Sequence, residues 1–319
     1  MPTREVGRIS VTILVALLAS TGAGTVASAR ARKALDACRA STHAAFRACR
    51  QEAQSDKLLA EGKCANLPDA TKAKACNDQA LADAKDALMG CTDQRDARTA
   101  VCDKLGPAPY SPVIDPTNFT SVIDNRLFPL VPGTTFVYEG QTAAGLEHDE
   151  FAVTHNTRTI AGVTCVEVHD TVTTAGKLTE DTRDWFAQDL AGNVWYMGEN
   201  SLQLEDGLVV GTEGSWMAGV DGGVPGIIME AHPAVGDFYR QEFLLKDAED
   251  LAEVSSLDES VTLTNNNTTY DHCLKTTETS PLEPDALENK FYALDVGNVL
   301  VVDVTAGERS ELIQVIKGP

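Results

Sequence analysis

The sequence predicts an α+β protein in two modules. A disulfide-stapled antiparallel helical hairpin comes first, and an all-β domain with a curved antiparallel sheet, an open barrel or a sandwich, follows it. Three observations predict this. Six cysteines (Cys38, Cys49, Cys64, Cys76, Cys91 and Cys102) are separated by 11, 15, 12, 15 and 11 residues, a spacing that reads the same in both directions. From residue 132 onward, short β-branched runs of period two alternate with turn signals, and no long helical period intervenes. Between the two lies Gly106-Pro107-Ala108-Pro109-Tyr110-Ser111-Pro112, whose prolines hold the chain extended.

Taken in order, residues 1–29 have the form of a secretory signal peptide. Arg4 and Arg8 give a positive start, Ile9 to Ala19 form an apolar run, and Ala27-Ser28-Ala29 supplies the small residues before a cleavage site after Ala29. The apolar run falls short of the roughly 20 residues of a membrane span, so no integral membrane segment is expected after cleavage. Cys38 stands too far from that run to become a lipid-bearing terminus. The expectation is a secreted or periplasmic protein, folded where thiols oxidise.

Residues 30–105 form the cysteine-rich hairpin. Ala, Lys, Asp, Gln and Leu dominate it and favour helix. Leu35, Cys38, Thr42, Ala45 and Cys49 recur at steps of three and four, which puts both cysteines on one seam. Asp69, after Pro68, is placed to cap a second helix running to about Lys104, and Gly90 is a point where that helix could split. With the helices antiparallel, the palindrome sets Cys38 opposite Cys102, Cys49 opposite Cys91 and Cys64 opposite Cys76. Small residues such as Ala45 and Ala87 would permit the roughly 4.4–6.8 Å approach of Cα atoms that bridges need. A metal cluster is the rival reading. It lacks any C-x-x-C pair, and His43 is the module's sole histidine.

Residues 106–131 read as a Pro-rich linker and lead-in, and 132–319 as the antiparallel β domain. Thr134 to Glu139 and Glu147 to His155 open it. A meander follows over Arg158–Thr174, Leu178–Asp189 and Asn193–Glu199, with turns at Ala175-Gly176 and Asp189 to Asn193. After Leu208-Val209-Val210 comes a loop from Gly211 to Gly226 with six glycines and Trp216. Further strands are predicted over Phe238–Leu245, Ala252–Leu263, Thr269–Thr277, Lys290–Ala293, Asn298–Val304 and Glu311–Ile316. Cys165 and Cys273 fall on strands. In an oxidising compartment a bridge between them is expected, with two buried thiols as the alternative.

The formal net charge is −21, and it is unevenly spread. Residues 30–104 carry 14 basic and 11 acidic side chains, and residues 105–319 carry 10 and 35. So acidic a domain repels phosphate backbones, which excludes nucleic acid as its partner. The acidity serves solubility, or it serves binding of cations such as calcium.

Two stretches carry a resemblance. Leu127-Phe128-Pro129-Leu130-Val131-Pro132-Gly133-Thr134-Thr135-Phe136-Val137-Tyr138 resembles the opening of uncharacterised exported bacterial β-sheet proteins. Phe291-Tyr292-Ala293 with Val296-Gly297-Asn298-Val299-Leu300 resembles their closing strand, although Leu294-Asp295 departs from the usual Pro-Gly. Trp185 to Asp189, Gly192 to Tyr196 and Ala231 to Asp237 are similar to that group too, and the likeness spans roughly residues 115–305. It implies an exported β protein and brings no activity with it. More loosely, the pattern is similar to periplasmic half-barrels of the lipoprotein-carrier kind, which hold acyl chains on a curved sheet. That likeness is one of fold, and fold does not fix function.

No G-x-S-x-G, H-E-x-x-H, phosphate loop, EF-hand loop or dinucleotide fingerprint occurs. The leading expectation is therefore a non-enzymatic exported binding or envelope protein without a resident cofactor. It would hold an apolar or amphipathic small molecule against Trp185, Trp195 and Trp216. The alternatives are a divalent-cation site (calcium or zinc) and a hydrolase. The cation site would use His148 and Glu150 with Glu167 and His169, pairs that share strand faces, joined by Asp170 and Asp181. The hydrolase would use the glycine-rich loop and His232.

Overall fold

The computed structural model describes residues 36–318, so the leader expected over residues 1–29 lies outside the described residues. Helix α1 (Ala37–Ala65) begins where the Asp36 carboxylate accepts from the Arg39 N–H at 2.9 Å. Helix α2 (Ala70–Leu105) begins at Asp69 in the same way, with the Lys72 N–H as donor at 2.9 Å. These caps satisfy N–H groups that a helix start leaves without partners. The nested bridges form: Cys38–Cys102, Cys49–Cys91 and Cys64–Cys76, with Cα atoms 5.7, 5.7 and 5.5 Å apart. Ala45, Ala53, Ala80 and Ala84 are buried in the seam, whereas Ala87 faces outward. Helix α2 runs unbroken through Gly90. The cost of one glycine in a helix, about 1 kcal/mol, is small beside the bridges that flank it.

The rest of the chain contributes β1 (Phe119–Thr120), β2 (Thr134–Thr142), β3 (Gly145–Ile160), β4 (Val163–Thr174), β5 (Lys177–Asp189) and β6 (Val194–Glu205). It continues with β7 (Leu208–Gly211), β8 (Trp216–Met217), β9 (Val224–Met229), β10 (Phe238–Arg240) and β11 (Glu242–Phe243). The last strands are β12 (Leu251–Thr262), β13 (Thr269–Ser280), β14 (Glu283–Ala293), β15 (Gly297–Asp303) and β16 (Glu308–Lys317). The sequence reading ended β3 too early. Arg158 to Ile160 belong to it, and the break is Ala161-Gly162, where both residues take positive φ (48° and 84°). Ala175-Gly176 repeats the device with φ of 51° and 77°. Two positive φ values in succession match the twist of hairpin strands.

All these strands join one antiparallel sheet, whose main path runs β10-β12-β13-β14-β15-β16-β2-β3-β4-β5-β6-β9-β11. Its two ends are consecutive in the chain, with only Gln241 between them. The bent segment 238–243 therefore pairs with β12 on one side and β9 on the other, which curls the sheet into a nearly closed barrel. Closure also removes the exposed edges that an open sheet would carry.

The lead-in is part of this body. Ile123 and Leu130 pair as an isolated bridge and are buried in the barrel core with Phe136, Val153, Val168 and Phe186. The Tyr110 hydroxyl donates to the Pro225 carbonyl at 3.0 Å, and its ring stands edge-on to Phe243. The hairpin docks on the barrel too. Arg98 pairs with Glu249, Lys104 with Glu253 and Lys246 with Glu52 of α1, and the Gln94 amide donates to the Leu282 carbonyl. Two of these three ion pairs set a base of the hairpin against an acid of the barrel.

The bridge expected between Cys165 and Cys273 does not form, and both are buried free thiols. Successive residues of a strand point to opposite faces of a sheet. Cys273 packs in the barrel interior, whereas Cys165 belongs to a second cluster outside the wall with Trp185, Met197 and Trp216.

Candidate acid-walled cavity inside the barrel

The inner face of the wall changes character along its strands. On β4 and β5 the pairs Val166–Phe186, Val168–Asp184, Asp170–Thr182 and Val172–Glu180 lie opposite one another. On β2 and β3 the pairs are Phe136–Phe151 and Tyr138–Asp149. On β3, β4 and β5 the inner face therefore passes from packed aromatic and aliphatic side chains to carboxylates within a few residues. The packed half is the core. Beyond it the barrel holds a cavity of about 880 Å³.

The floor of this cavity is aromatic, with Phe128, Phe151, Phe186, Tyr196 and Tyr292. Phe186 and Tyr196 stack with ring centres 4.9 Å apart, and Phe128 meets Phe186 edge-on at 5.6 Å. The walls carry twelve acidic side chains and two lysines. Both lysines are already paired: Lys246 with Glu52, and Lys290 with Glu278 and Glu288. Gln94 of α2 joins the lining, so the hairpin helps to form it.

The Tyr196 hydroxyl oxygen lies 2.5 Å from Asp184 Oδ1 and 2.6 Å from Glu199 Oε2. One phenol carries one proton, and it can donate to one carboxylate only. The second short contact requires a protonated carboxyl that donates back to the phenol oxygen. The acidities agree. Burial, then the Asp170 charge, push the Asp184 carboxyl up to about 8 against the opposing Tyr196 hydrogen bond. Burial and then Asp184 push Glu199 up to about 8.

Asp149 and Asp170 project from β3 and β4 into the same space. Burial raises Asp149 to about 6, and burial together with the Asp149 charge holds Asp170 well above the ordinary carboxylate range. One oxygen of each, Oδ1, is sealed from solvent and has no hydrogen-bond partner. Glu242, 7% exposed, lines the cavity without an ion pair, and burial followed by the charges of Asp250 and Glu199 raises it strongly. Desolvation disfavours the charged form in every case.

The residues predicted for a site fall elsewhere. Trp185 and Trp216 come together, as the sequence suggested, but in the packed cluster outside the wall, where each is 4% exposed. Arg158 lies over the Trp185 ring at 4.4 Å. Trp195 is half-buried on the same outer face, where its indole N–H donates to Asp189 at 2.8 Å. None of the three lines the cavity. The glycine-rich loop does reach it, through Glu213 and Gly214.

His148, Glu150, Glu167 and His169 are outward by the same alternation. His148 sits between Glu139 and Glu150, at 3.1 and 3.4 Å, and His169 lies 3.0 Å from Asp181. Glu167 accepts from Thr154 and Asn156. Among the described residues no three His, Cys, Asp or Glu side chains assemble in a metal-holding group. His232 is exposed in the turn after β9, away from the cavity lining.

No family model and no curated protein matches the chain. Among solved structures, the crystal structure of a "putative lipoprotein" from Parabacteroides distasonis ATCC 8503 is similar over 60% of this chain and 98% of that one. The sequence identity is 15% and the TM-score 0.32, too slight a likeness to carry a functional argument. The compartment rests instead on the three hairpin bridges, which mark an extracytoplasmic protein. Among the described residues no helix is long and apolar enough to cross a membrane.

Proposed function

We propose that the protein is an exported, non-enzymatic binding protein of the cell envelope that holds an amphipathic small molecule inside its barrel. The cavity carries this reading. Its volume of about 880 Å³ is within the range of small-molecule sites. An aromatic floor beneath polar walls suits a ligand with an apolar body and a polar end. The partner is thus the amphipathic molecule expected from the sequence, but its seat is the inner face of the barrel and not the tryptophan cluster.

The experiment is equilibrium titration of the full disulfide-bonded chain with a neutral naphthyl dye that brightens in apolar surroundings. Saturable binding at one dye per chain is expected, and Ile228→Trp, which places an indole in the cavity lining, abolishes it. Binding that never saturates, or that Ile228→Trp leaves intact, overturns the reading.

A further inference from the structure

We infer that the cavity's ligand is an organic cation, a protonated amine carried on an apolar body. This inference rests on the binding reading above and deepens it.

The wall supplies the first ground. Twelve acidic side chains face two lysines, and both lysines already have carboxylate partners within the protein. The second is independent of that count. The sealed Oδ1 atoms of Asp149 and Asp170 have no donor. Buried acceptors of this kind ordinarily have partners, and leaving them without one is costly. A donor bearing positive charge satisfies them best, because charge-assisted hydrogen bonds are the stronger ones.

The third ground is the floor. The stacked Phe186–Tyr196 pair, with Phe128 edge-on, offers ring faces to an ammonium and apolar surface to a hydrocarbon body. A fatty acid would bring a further negative charge into an acidic space. A bare divalent ion would leave the aromatic floor unused, and the carboxylates are spread along the wall without a metal-holding cluster.

The test compares dodecylamine, dodecanol and dodecanoate at neutral pH by calorimetry on the full disulfide-bonded chain, with calcium chloride alone as a fourth arm. The amine is expected to bind at least about tenfold more tightly than the alcohol, and the carboxylate not at all. Replacing both Asp149→Asn and Asp170→Asn is expected to remove that advantage, so that the variant no longer distinguishes amine from alcohol. Glu199→Gln, a single isosteric change, should reduce it in part should the double variant fold poorly. Equal affinity for amine and alcohol, or preference for the carboxylate, overturns the amine assignment and leaves the binding reading standing. Calcium that binds at one ion per chain and displaces the amine overturns it as well. Failure of all three amphiphiles to bind overturns both readings.

Discussion

Arg98 of the hairpin and Glu249 of the barrel meet in a buried fork, with Arg98 Nε 2.9 Å from Glu249 Oε2 and Nη2 2.6 Å from Oε1. The side chains are 4% and 1% exposed. Glu249 Oε1 also accepts the Lys246 backbone N–H at 2.8 Å. That contact holds Lys246 at a φ of 76°, a conformation rare for a residue with a Cβ. Lys246 and Asp247 line the cavity, so a residue of α2 fixes one of its walls.

Arg98→Ala leaves the Glu249 carboxylate buried without its partner. Such a change costs about 3–5 kcal/mol. Urea unfolding of the variant should show that loss. Arg98→Met combined with Glu249→Leu should recover most of it, since neither charge is then stranded. A single variant within about 0.5 kcal/mol of the parent would show that the hairpin is not anchored here.

The Asp184–Tyr196–Glu199 group predicts a pH dependence. Both carboxyls titrate at about 8 in the folded protein and near the ordinary carboxylate value when unfolded. Folded pKa values raised in this way mean that the folded state binds more protons between about pH 4 and 8. Stability from these groups is therefore full at the acid end of that window and is lost as pH rises towards 8. Asp184→Asn keeps an acceptor for the tyrosine hydroxyl and removes the charge. It should raise stability at pH 8 by on the order of 2 kcal/mol and flatten the profile. Melting curves at pH 5 and pH 8 read this directly, and a parent slope equal to the variant's contradicts it.

Two thiols and three bridges predict a definite chemical count. Cys165 and Cys273 are buried and unbridged, and burial pushes the Cys165 thiol up to about 12 and the Cys273 thiol up to about 11. A thiol so held is almost wholly protonated near neutrality and is a poor nucleophile. A disulfide-exchange reagent should find no reactive thiol in the native protein and two per chain in denaturant without reductant. Zero in denaturant would restore the Cys165–Cys273 bridge.

The hairpin was legible because its signals are local: a palindromic cysteine spacing, and Asp69 at the start of the second helix. The all-strand body was legible from period two. The site was not, and the reason is parity. Trp185 and Trp195, the largest residues in the meander, were read as the ligand face, and Glu167 and His169 lie on the same face of the sheet as Trp185. That face is also buried, by β8 and the lead-in, so size did not distinguish inside from outside. The usable signal lay one residue away, where Phe151 with Asp149, Val168 with Asp170 and Phe186 with Asp184 each set a carboxylate two residues from a core side chain. Shifting by one position reverses every assignment on a strand. Closure was hidden for another reason, since a single predicted strand over 238–245 proved to be two short strands pairing with different neighbours.

That closure makes its own prediction at Gly226. A Cβ there would lie 2.3 Å from the Arg240 carbonyl oxygen and 2.4 Å from the Gln241 carbonyl carbon, both backbone atoms that no rotamer change can move. Gly226→Ala must therefore push β9 away from the bend that joins the two ends of the sheet. The expected cost is about 2–4 kcal/mol, in the range of severe overpacking. Gly219→Ala controls for conformational strain alone, because nothing lies within 4 Å of its Cβ position although its φ is 82°. It should cost about 1 kcal/mol. Hydrogen exchange should then localise the difference, with faster exchange in Gly226→Ala at β9, β10 and β11 and unchanged protection in β13 and β14. Equal loss in the two variants would mean that the seam tolerates a methyl group and that the barrel does not depend on this approach for its closure.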